Sequence, residues 1–234
     1  MTKYKLLDLL YPRRCAICDR VLPFGKEDIC EGCKKGIRYL AGHLCCKCGK
    51  EVKEEEEYCH DCSRKTHWFI RGAALFPYDY IRPSIYRFKY GGRQEYGQFY
   101  ARQMAVRLTG QVREWKPQAL VPVPLHRKKE RQRGYNQAEV LARQLGAIWN
   151  LPVLTNLVVR VKNTRPMKEI EGAERQNNLK KAFKLGENDV KLNTIIVIDD
   201  IYTTGSTVDA VAKVCREGGI KNIYVLSVSI GHGL

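Results

Sequence analysis

The chain has 234 residues, of which 44% are apolar, so it can bury the core of one ordinary domain and carry a small additional module. No stretch approaches the roughly 18 to 20 apolar residues of a membrane-spanning helix. The short apolar run at residues 6–11 is interrupted by Asp8, which argues against a signal peptide. These features predict a cytoplasmic protein without a membrane span.

The positive charge is concentrated in the middle of the chain. The formal net charge is +16, and residues 71–187 alone hold 23 basic against 9 acidic side chains, a balance of +14. Residues 1–70 carry +3, and residues 188–234 carry −1. Such a surplus favours a polyanionic partner, either nucleic acid or a phosphate-rich ligand.

Cysteines dominate the N-terminal part of the chain. Nine of the ten lie within residues 15–62, and eight of them form four C-x-x-C pairs. Pairs can be redox dithiols, but four in tandem without a signal peptide are typical of thiolate metal ligands. We predict two structural zinc sites, closed to water and remote from catalysis. The predicted ligands are Cys15, Cys18, Cys30, Cys33, Cys45, Cys48, Cys59 and Cys62.

The spacing of the pairs repeats, as C-x2-C-x11-C-x2-C followed by C-x2-C-x10-C-x2-C. This repeat indicates a duplicated zinc ribbon. The pairs can share metals in sequence order, which we favour, or in a crossed arrangement. We expect a double zinc ribbon over residues 1–66 and a second domain over residues 67–234.

The elements predicted after the cysteines alternate between strand and helix. An amphipathic helix is expected within residues 1–14, and the helices that follow are 94–115, 136–149 and 208–217. The predicted strands are 73–78, 119–123, 194–198 and 223–228, with an extended segment at 153–161. Alternation of this kind predicts an α/β fold with a parallel sheet flanked by helices and a ligand at the carboxyl ends of the strands.

The most informative segment is IIVIDDIYTTGST, residues 195–207. Two acids and a turn of small hydroxyl residues come directly after an apolar strand and before a helix. The turn offers N–H groups and hydroxyls to a phosphate at a helix N-terminus, and the acids can accept hydrogen bonds from ribose hydroxyls. The predicted phosphoribosyl site consists of Asp199, Asp200, Thr203, Thr204, Gly205, Ser206 and Thr207, with both acids as catalytic candidates.

The sequence resembles the ComF family of competence proteins, of the ComFC type, over nearly its whole length. The resemblance rests on the four cysteine pairs, on VPVPLHRKKERQRGYNQ at residues 121–137, on the region of Arg160, Thr164 and Arg175, and on the motif at 195–207. It implies a type I phosphoribosyltransferase fold behind a zinc-ribbon module, phosphoribosyl pyrophosphate with Mg²⁺ as ligand, and a role in DNA uptake beside a DNA-translocating ATPase.

Three further expectations follow from the resemblance and the basic charge. The loop that would bind diphosphate contains Leu125, His126 and Arg127. Residues 162–180 would form a hood over the substrate, in which Met167 replaces the usual Gln. The basic run suits single-stranded DNA, with a solvated loop as the alternative. Its predicted DNA-binding residues are Arg127, Lys128, Lys129, Arg131, Arg133 and Tyr135.

Two functions remain open at this point. One is a phosphoribosyltransferase whose acceptor the sequence does not name. The other is a non-catalytic nucleic-acid-binding or adaptor module that uses the phosphoribosyl pocket as a sensor and docks a competence ATPase.

Overall fold

The structure is a computed structural model that describes residues 11–23, 27–161, 182–186 and 191–231. The predicted hood at 162–180, with Met167, and most of the predicted N-terminal helix lie outside these ranges. Within them, no helix is both long and apolar enough to cross a membrane.

The centre of the molecule is a parallel sheet with the strand order β1-β6-β5-β2, as the alternating pattern predicted. An antiparallel pair, β3 and β4, lies apart from it. The strands are β1 (Arg71–Pro77), β2 (Ala119–Pro122), β3 (Val158–Arg160), β4 (Phe183–Leu185), β5 (Thr194–Tyr202) and β6 (Asn222–Ile230).

The three helices predicted within these ranges are confirmed to within about two residues, and four further helices were not predicted. The described helices are α1 (Glu31–Lys35), α2 (His60–Arg64), α3 (Tyr78–Tyr90), α4 (Tyr96–Trp115), α5 (Arg127–Arg133), α6 (Gln137–Trp149) and α7 (Ser206–Glu217). Helix α3 follows β1 without a loop and contains Pro83. Both features make the helix hard to predict from the sequence, because no turn marks its start and proline disfavours a helix interior. Helix α5 has no buried residue and therefore no apolar periodicity.

Strand β5 is longer than predicted. Its pairing with β6 continues to Tyr202 opposite Ile230, so Asp199 and Asp200 lie within the last residues of the strand rather than after it. Asp199 is opposite Ser227, a small buried residue of β6. The ladder therefore fixes the backbone of both acids.

The two halves of the cysteine region share one local structure, which confirms the duplication. In each half the first cysteine pair forms a tight turn with a left-handed residue after it, Asp19 at φ 65° and Gly49 at φ 78°. The second pair begins a five-residue helix, α1 after Cys30 and α2 after Cys59. We call residues 15–33 the first ribbon and residues 45–62 the second ribbon.

Each ribbon packs on a different face of the sheet. Cys15 and Ala16 of the first ribbon join the core formed with α3, α4 and α6. Cys45 and Cys48 of the second ribbon join the core formed with α7. The second ribbon also touches the sheet itself, since a side chain at Gly49 would lie 3.1 Å from the Ala73 Cα atom.

Candidate functional site

The cysteine sulfurs form two compact groups, in sequence order. Cys15, Cys18, Cys30 and Cys33 make one group, and Cys45, Cys48, Cys59 and Cys62 make the other, each with all sulfurs within 4.8 Å of one another. The Cys18–Cys30 and Cys48–Cys59 sulfurs are 3.7 Å apart. A tetrahedral zinc with Zn–S bonds of about 2.3 Å requires a sulfur separation of about 3.8 Å. Both groups fit Zn²⁺ with four thiolates.

The second candidate site lies at the carboxyl edge of the parallel sheet. Strand β5 ends there, and residues 203–207, which we call the phosphate turn, lead into α7. Gly205 occupies the N-cap position at φ 74°, and no side chain of the described residues caps the first turn of the helix. The Thr204 and Ser206 hydroxyl oxygens lie 2.9 Å apart. The turn therefore presents uncapped N–H groups and hydroxyls to an anion.

The acid pair, Asp199 and Asp200, lies immediately before this turn. Asp200 is buried and forms an ion pair with Lys89 of α3, with Nζ 2.9 Å from Oδ1. Asp199 accepts a hydrogen bond from the backbone N–H of Asp200 at 2.9 Å. Burial of Asp199 and the neighbouring charge of Asp200 raise the pKa of Asp199 to about 7, although Lys89 and Arg160 oppose the shift. The pair thus holds one carboxyl that titrates near neutral pH.

Two positive side chains, Lys89 and Arg160, act on the acid pair, and two more lie near them. Burial lowers the pKa of Lys129, and the nearby charges of Arg160, Arg133 and Lys89 lower it further. Burial also lowers the pKa of Arg160, while Asp199 partly offsets the effect. These four positive groups are therefore close to one another, which favours a polyanion between them. We call Lys89, Lys129, Arg133 and Arg160 the cation cluster.

The loop between β2 and α5 approaches the same edge, because β2 is hydrogen-bonded to β5. Leu125 and His126 are half-buried, whereas Arg127 is exposed. His126 caps α5 by accepting the Lys128 N–H at its Nδ1, 3.2 Å away. The structure thus places the predicted diphosphate loop at the same sheet edge as the phosphate turn and gives His126 a local structural contact.

The predicted DNA-binding residues divide into two groups. Arg127, Lys128 and Arg131 are exposed on α5, whereas Lys129 and Arg133 belong to the cation cluster. The expected stacking role of Tyr135 fits the structure poorly, because its ring packs against Phe88 and its hydroxyl donates to the Phe88 carbonyl. Phe88 therefore covers part of the Tyr135 ring, which is half-buried.

Sequence reasoning missed the role of two site residues. Lys89 pairs with Asp200 from a helix that was not predicted. The charge of Arg160, which lies on β3 just before the predicted hood, lowers the pKa of Asp199. Arg160 belongs to the region of family resemblance, but the sequence alone assigns it no function. The spacing of 111 residues between Lys89 and Asp200 leaves no local signal; only the run of basic residues in α3 marks the helix as unusual.

Comparison with known proteins agrees with these observations. The model of the double zinc ribbon domain matches residues 6–63. Competence protein F of Haemophilus influenzae is 33% identical over 221 residues, which cover 91% of this chain and 94% of that protein. The chain belongs to the competence protein F family. The family resemblance inferred from the sequence is thereby confirmed.

Other members of the family are similar over most of their length. DNA utilization protein YhgH of Salmonella typhimurium is 30% identical over 230 residues, covering 93% of this chain and 96% of that protein. Competence protein ComFC of Bacillus subtilis is 28% identical over 200 residues, covering 82% of this chain and 80% of that protein.

A solved structure is similar at a lower level. The crystal structure of a purine phosphoribosyltransferase from Pyrococcus horikoshii is 14% identical, covers 57% of this chain and 87% of its own, and gives a TM-score of 0.33. This similarity is too low to carry an argument. The assignment of the site therefore depends on its own geometry.

Proposed function

We propose that the chain binds phosphoribosyl pyrophosphate with Mg²⁺ at the carboxyl edge of its sheet and acts in the handling of DNA. One observation carries the proposal: an acid pair and a crowded cation cluster meet beside an uncapped helix N-terminus. A ribose carrying phosphate at one end and diphosphate at the other requires both kinds of group. The names of the relatives, which refer to competence and DNA utilization, support the second half.

The residues match the parts of the ligand one by one. The phosphate turn suits the 5-phosphate, and the carboxylates of Asp199 and Asp200 suit the ribose hydroxyls. Lys89 and Arg160 suit the diphosphate, with which they form charge-assisted contacts. Mg²⁺, when bound, neutralises part of the diphosphate charge. A groove made only for DNA phosphates gains nothing from buried carboxylates, because like charges repel.

The change Asp200→Asn tests the ligand assignment. It removes a charged acceptor of a ribose hydroxyl, so the affinity for phosphoribosyl pyrophosphate with Mg²⁺ should fall by about 1.5 to 3 kcal/mol in isothermal calorimetry. The exposed Asp79, in the first turn of α3 at the same edge, provides the matched control. Asp79→Asn should leave the affinity unchanged. Equal affinity of Asp200→Asn and wild type would move the ribose site elsewhere.

Binding of single-stranded DNA is the second function that the geometry favours. The rings of Tyr86 and Tyr90, both exposed, lie 5.0 Å apart on α3, and the guanidinium of Arg133 lies 4.7 Å over Tyr90. Exposed rings beside the cations of α5 suit stacked bases and their phosphates. We therefore place base stacking on Tyr86 and Tyr90 instead of Tyr135. An adaptor contact with a DNA-translocating ATPase is compatible with this role.

The DNA proposal is tested with an oligothymidine and an abasic strand of equal length. The double change Tyr86→Ala with Tyr90→Ala should weaken binding of the oligothymidine by about 1 to 3 kcal/mol per stacked base. Binding of the abasic strand should not change. The corresponding double change to Phe is the control, since it keeps the rings. The double change Lys128→Ala with Arg131→Ala should make the slope of log affinity against log salt concentration less negative. The change should be about 0.7 for each phosphate that the variant no longer neutralises. An unchanged slope would place the DNA on another surface.

A further inference from the structure

The second ribbon is joined to α7 by a buried chain of polar contacts. His67 follows the second ribbon by five residues and has a fully buried side chain. Its Nε2 lies 3.4 Å from the Cys62 sulfur, and its Nδ1 lies 2.7 Å from Oδ2 of Asp209. A zinc ligand and a residue of α7 therefore contact opposite nitrogens of one imidazole ring.

Asp209 is held from several directions by the segment that follows the second ribbon. Besides His67, the Lys65 Nζ atom lies 2.6 Å from Oδ2, and the Trp68 N–H donates to Oδ1 at 3.1 Å. The backbone N–H of Asp209 donates to the Gly205 carbonyl at 2.8 Å. The residue that fixes the end of the phosphate turn is thus itself fixed by the segment carrying the second zinc site.

The beginning of the phosphate turn is reached by a second route. The His67 ring packs on Phe69 at 4.8 Å, and Phe69 meets the edge of Tyr202 at 6.2 Å. Tyr202 directly precedes the turn, and a side chain at Gly205 would collide with its hydroxyl. That hydroxyl is buried without a hydrogen-bond partner among the described residues, so packing alone holds the ring there. His67 is therefore linked to both sides of the phosphate turn, to Tyr202 through Phe69 and to Asp209 directly.

We propose that His67 and Asp209 are positioning residues that couple the second zinc site to the phosphate turn. The inference rests on the proposed function for its ligand, a phosphorylated ribose. Zinc bound by the second ribbon keeps the turn in its anion-binding conformation, and a phosphate bound in the turn strengthens the retention of that zinc, since coupling between two sites is reciprocal. Asp209 contacts neither ligand; it acts through the backbone of the turn.

The test compares Asp209→Asn with a matched control in the other half of the molecule. Asp28, within the first ribbon, pairs with Arg102 of α4 at 2.8 Å, so Asp28→Asn also removes an acid that joins a ribbon segment to a helix. Zinc-loaded full-length protein is analysed by hydrogen exchange without ligand, by metal analysis, and by calorimetry with phosphoribosyl pyrophosphate and Mg²⁺.

In Asp209→Asn, amide exchange at residues 203–208 should rise about tenfold and affinity should fall about tenfold, with both zinc ions retained. Asp28→Asn should match wild type in both measurements. Wild-type exchange and affinity in Asp209→Asn, or equal losses in Asp28→Asn, would overturn the coupling. If wild type fails to bind the ligand while the exchange contrast persists, the proposed function is wrong and the positioning role stands.

A second variant covers the case in which Asp209→Asn fails to fold. In the variant His67→Asn, the side-chain amide nitrogen of asparagine can replace Nδ1 as the donor to Asp209. The asparagine side chain is too short to contact Cys62 as well. Faster exchange at residues 203–208 is expected in this variant too, because its link to the zinc site is broken. Wild-type exchange there would show that the zinc side of the link is irrelevant.

Discussion

The two ribbons have the same ligand pattern and local structure but contact different parts of the molecule. The first ribbon meets α3 and α4: the Ser84 hydroxyl of α3 donates to the Ala16 carbonyl, and Arg102 of α4 pairs with Asp28 at 2.8 Å. The second ribbon meets β1 and, through His67, the helix that begins at the phosphate turn. A duplicated module has therefore taken two roles, one that supports the scaffold and one beside the proposed ligand site.

The difference lies in the segment that comes after each ribbon along the chain. Residues 34–44 lead from the first ribbon to the start of the second, whereas residues 63–70 lead from the second directly into β1 and supply Lys65, His67 and Trp68 to Asp209. Identical metal chemistry thus has different consequences because its surroundings differ. Perturbing each ribbon separately distinguishes the two roles.

The largest effect is expected from removing one zinc ligand in each ribbon. Cys48→Ser should lose the second zinc and reduce the affinity for phosphoribosyl pyrophosphate by more than about 100-fold, because structural zinc contributes several kcal/mol to the fold around it. Cys18→Ser should lose the first zinc and lower the unfolding temperature but keep most of the affinity. Metal analysis, thermal unfolding and calorimetry on both variants check this. Equal losses of affinity would remove the distinction.

An intermediate effect is expected from pH, through the titration of the acid pair. Asp199, with a pKa of about 7, is mainly protonated at pH 6 and ionised at pH 8. A ribose hydroxyl donates to the ionised form. The ionised fraction of Asp199 rises about tenfold between these pH values, so the affinity for phosphoribosyl pyrophosphate should also rise about tenfold. Calorimetry at both pH values measures the change.

Asp199→Asn is the control, because it keeps the shape but cannot titrate. Its affinity should follow only the titration of the ligand itself. The raised pKa of Asp199 also affects stability. The folded state keeps a proton that the unfolded chain releases near pH 4, so the contribution of Asp199 to the free energy of unfolding decreases as pH rises from about 4 to 7. A wild-type profile parallel to that of Asp199→Asn would contradict the assignment.

The smallest effect is expected at the edge of the first ribbon. Arg102→Ala removes a half-exposed ion pair with Asp28 and should lower the free energy of unfolding by about 0.2 to 1 kcal/mol. Urea titration measures the change, and affinity for phosphoribosyl pyrophosphate should not move. A clear loss of affinity would show that the first ribbon also communicates with the site.

The sequence predicted those parts of the molecule whose signals are local. The cysteine spacing indicated both ligand sets in sequence order, and the segment at 195–207 located the acid pair and the turn. The strand and helix alternation predicted the parallel sheet, because two- and 3.6-residue periodicities follow directly from backbone geometry.

The missed features depend on residues distant in the chain. Lys89 pairs with Asp200 only because α3 folds back over the end of the sheet, and Pro83 conceals that helix. The contact of Tyr135 with Phe88 was missed for the same reason, since Phe88 also lies on α3. His67 and Asp209 are separated by 142 residues, and neither belongs to a motif.

The strand order of the sheet has a consequence for the order in which the chain can fold. Strand β1 is hydrogen-bonded to β6, with Arg71 opposite Tyr224, so the first strand to leave the ribosome finds its neighbour among the last. The ribbons can bind zinc as soon as their own cysteines emerge, but the apolar face beneath the second ribbon stays open until α7 and β6 are synthesised. A nascent chain halted before Ser206 would expose an unpaired strand edge and one uncovered face of the sheet, both of which promote aggregation during synthesis.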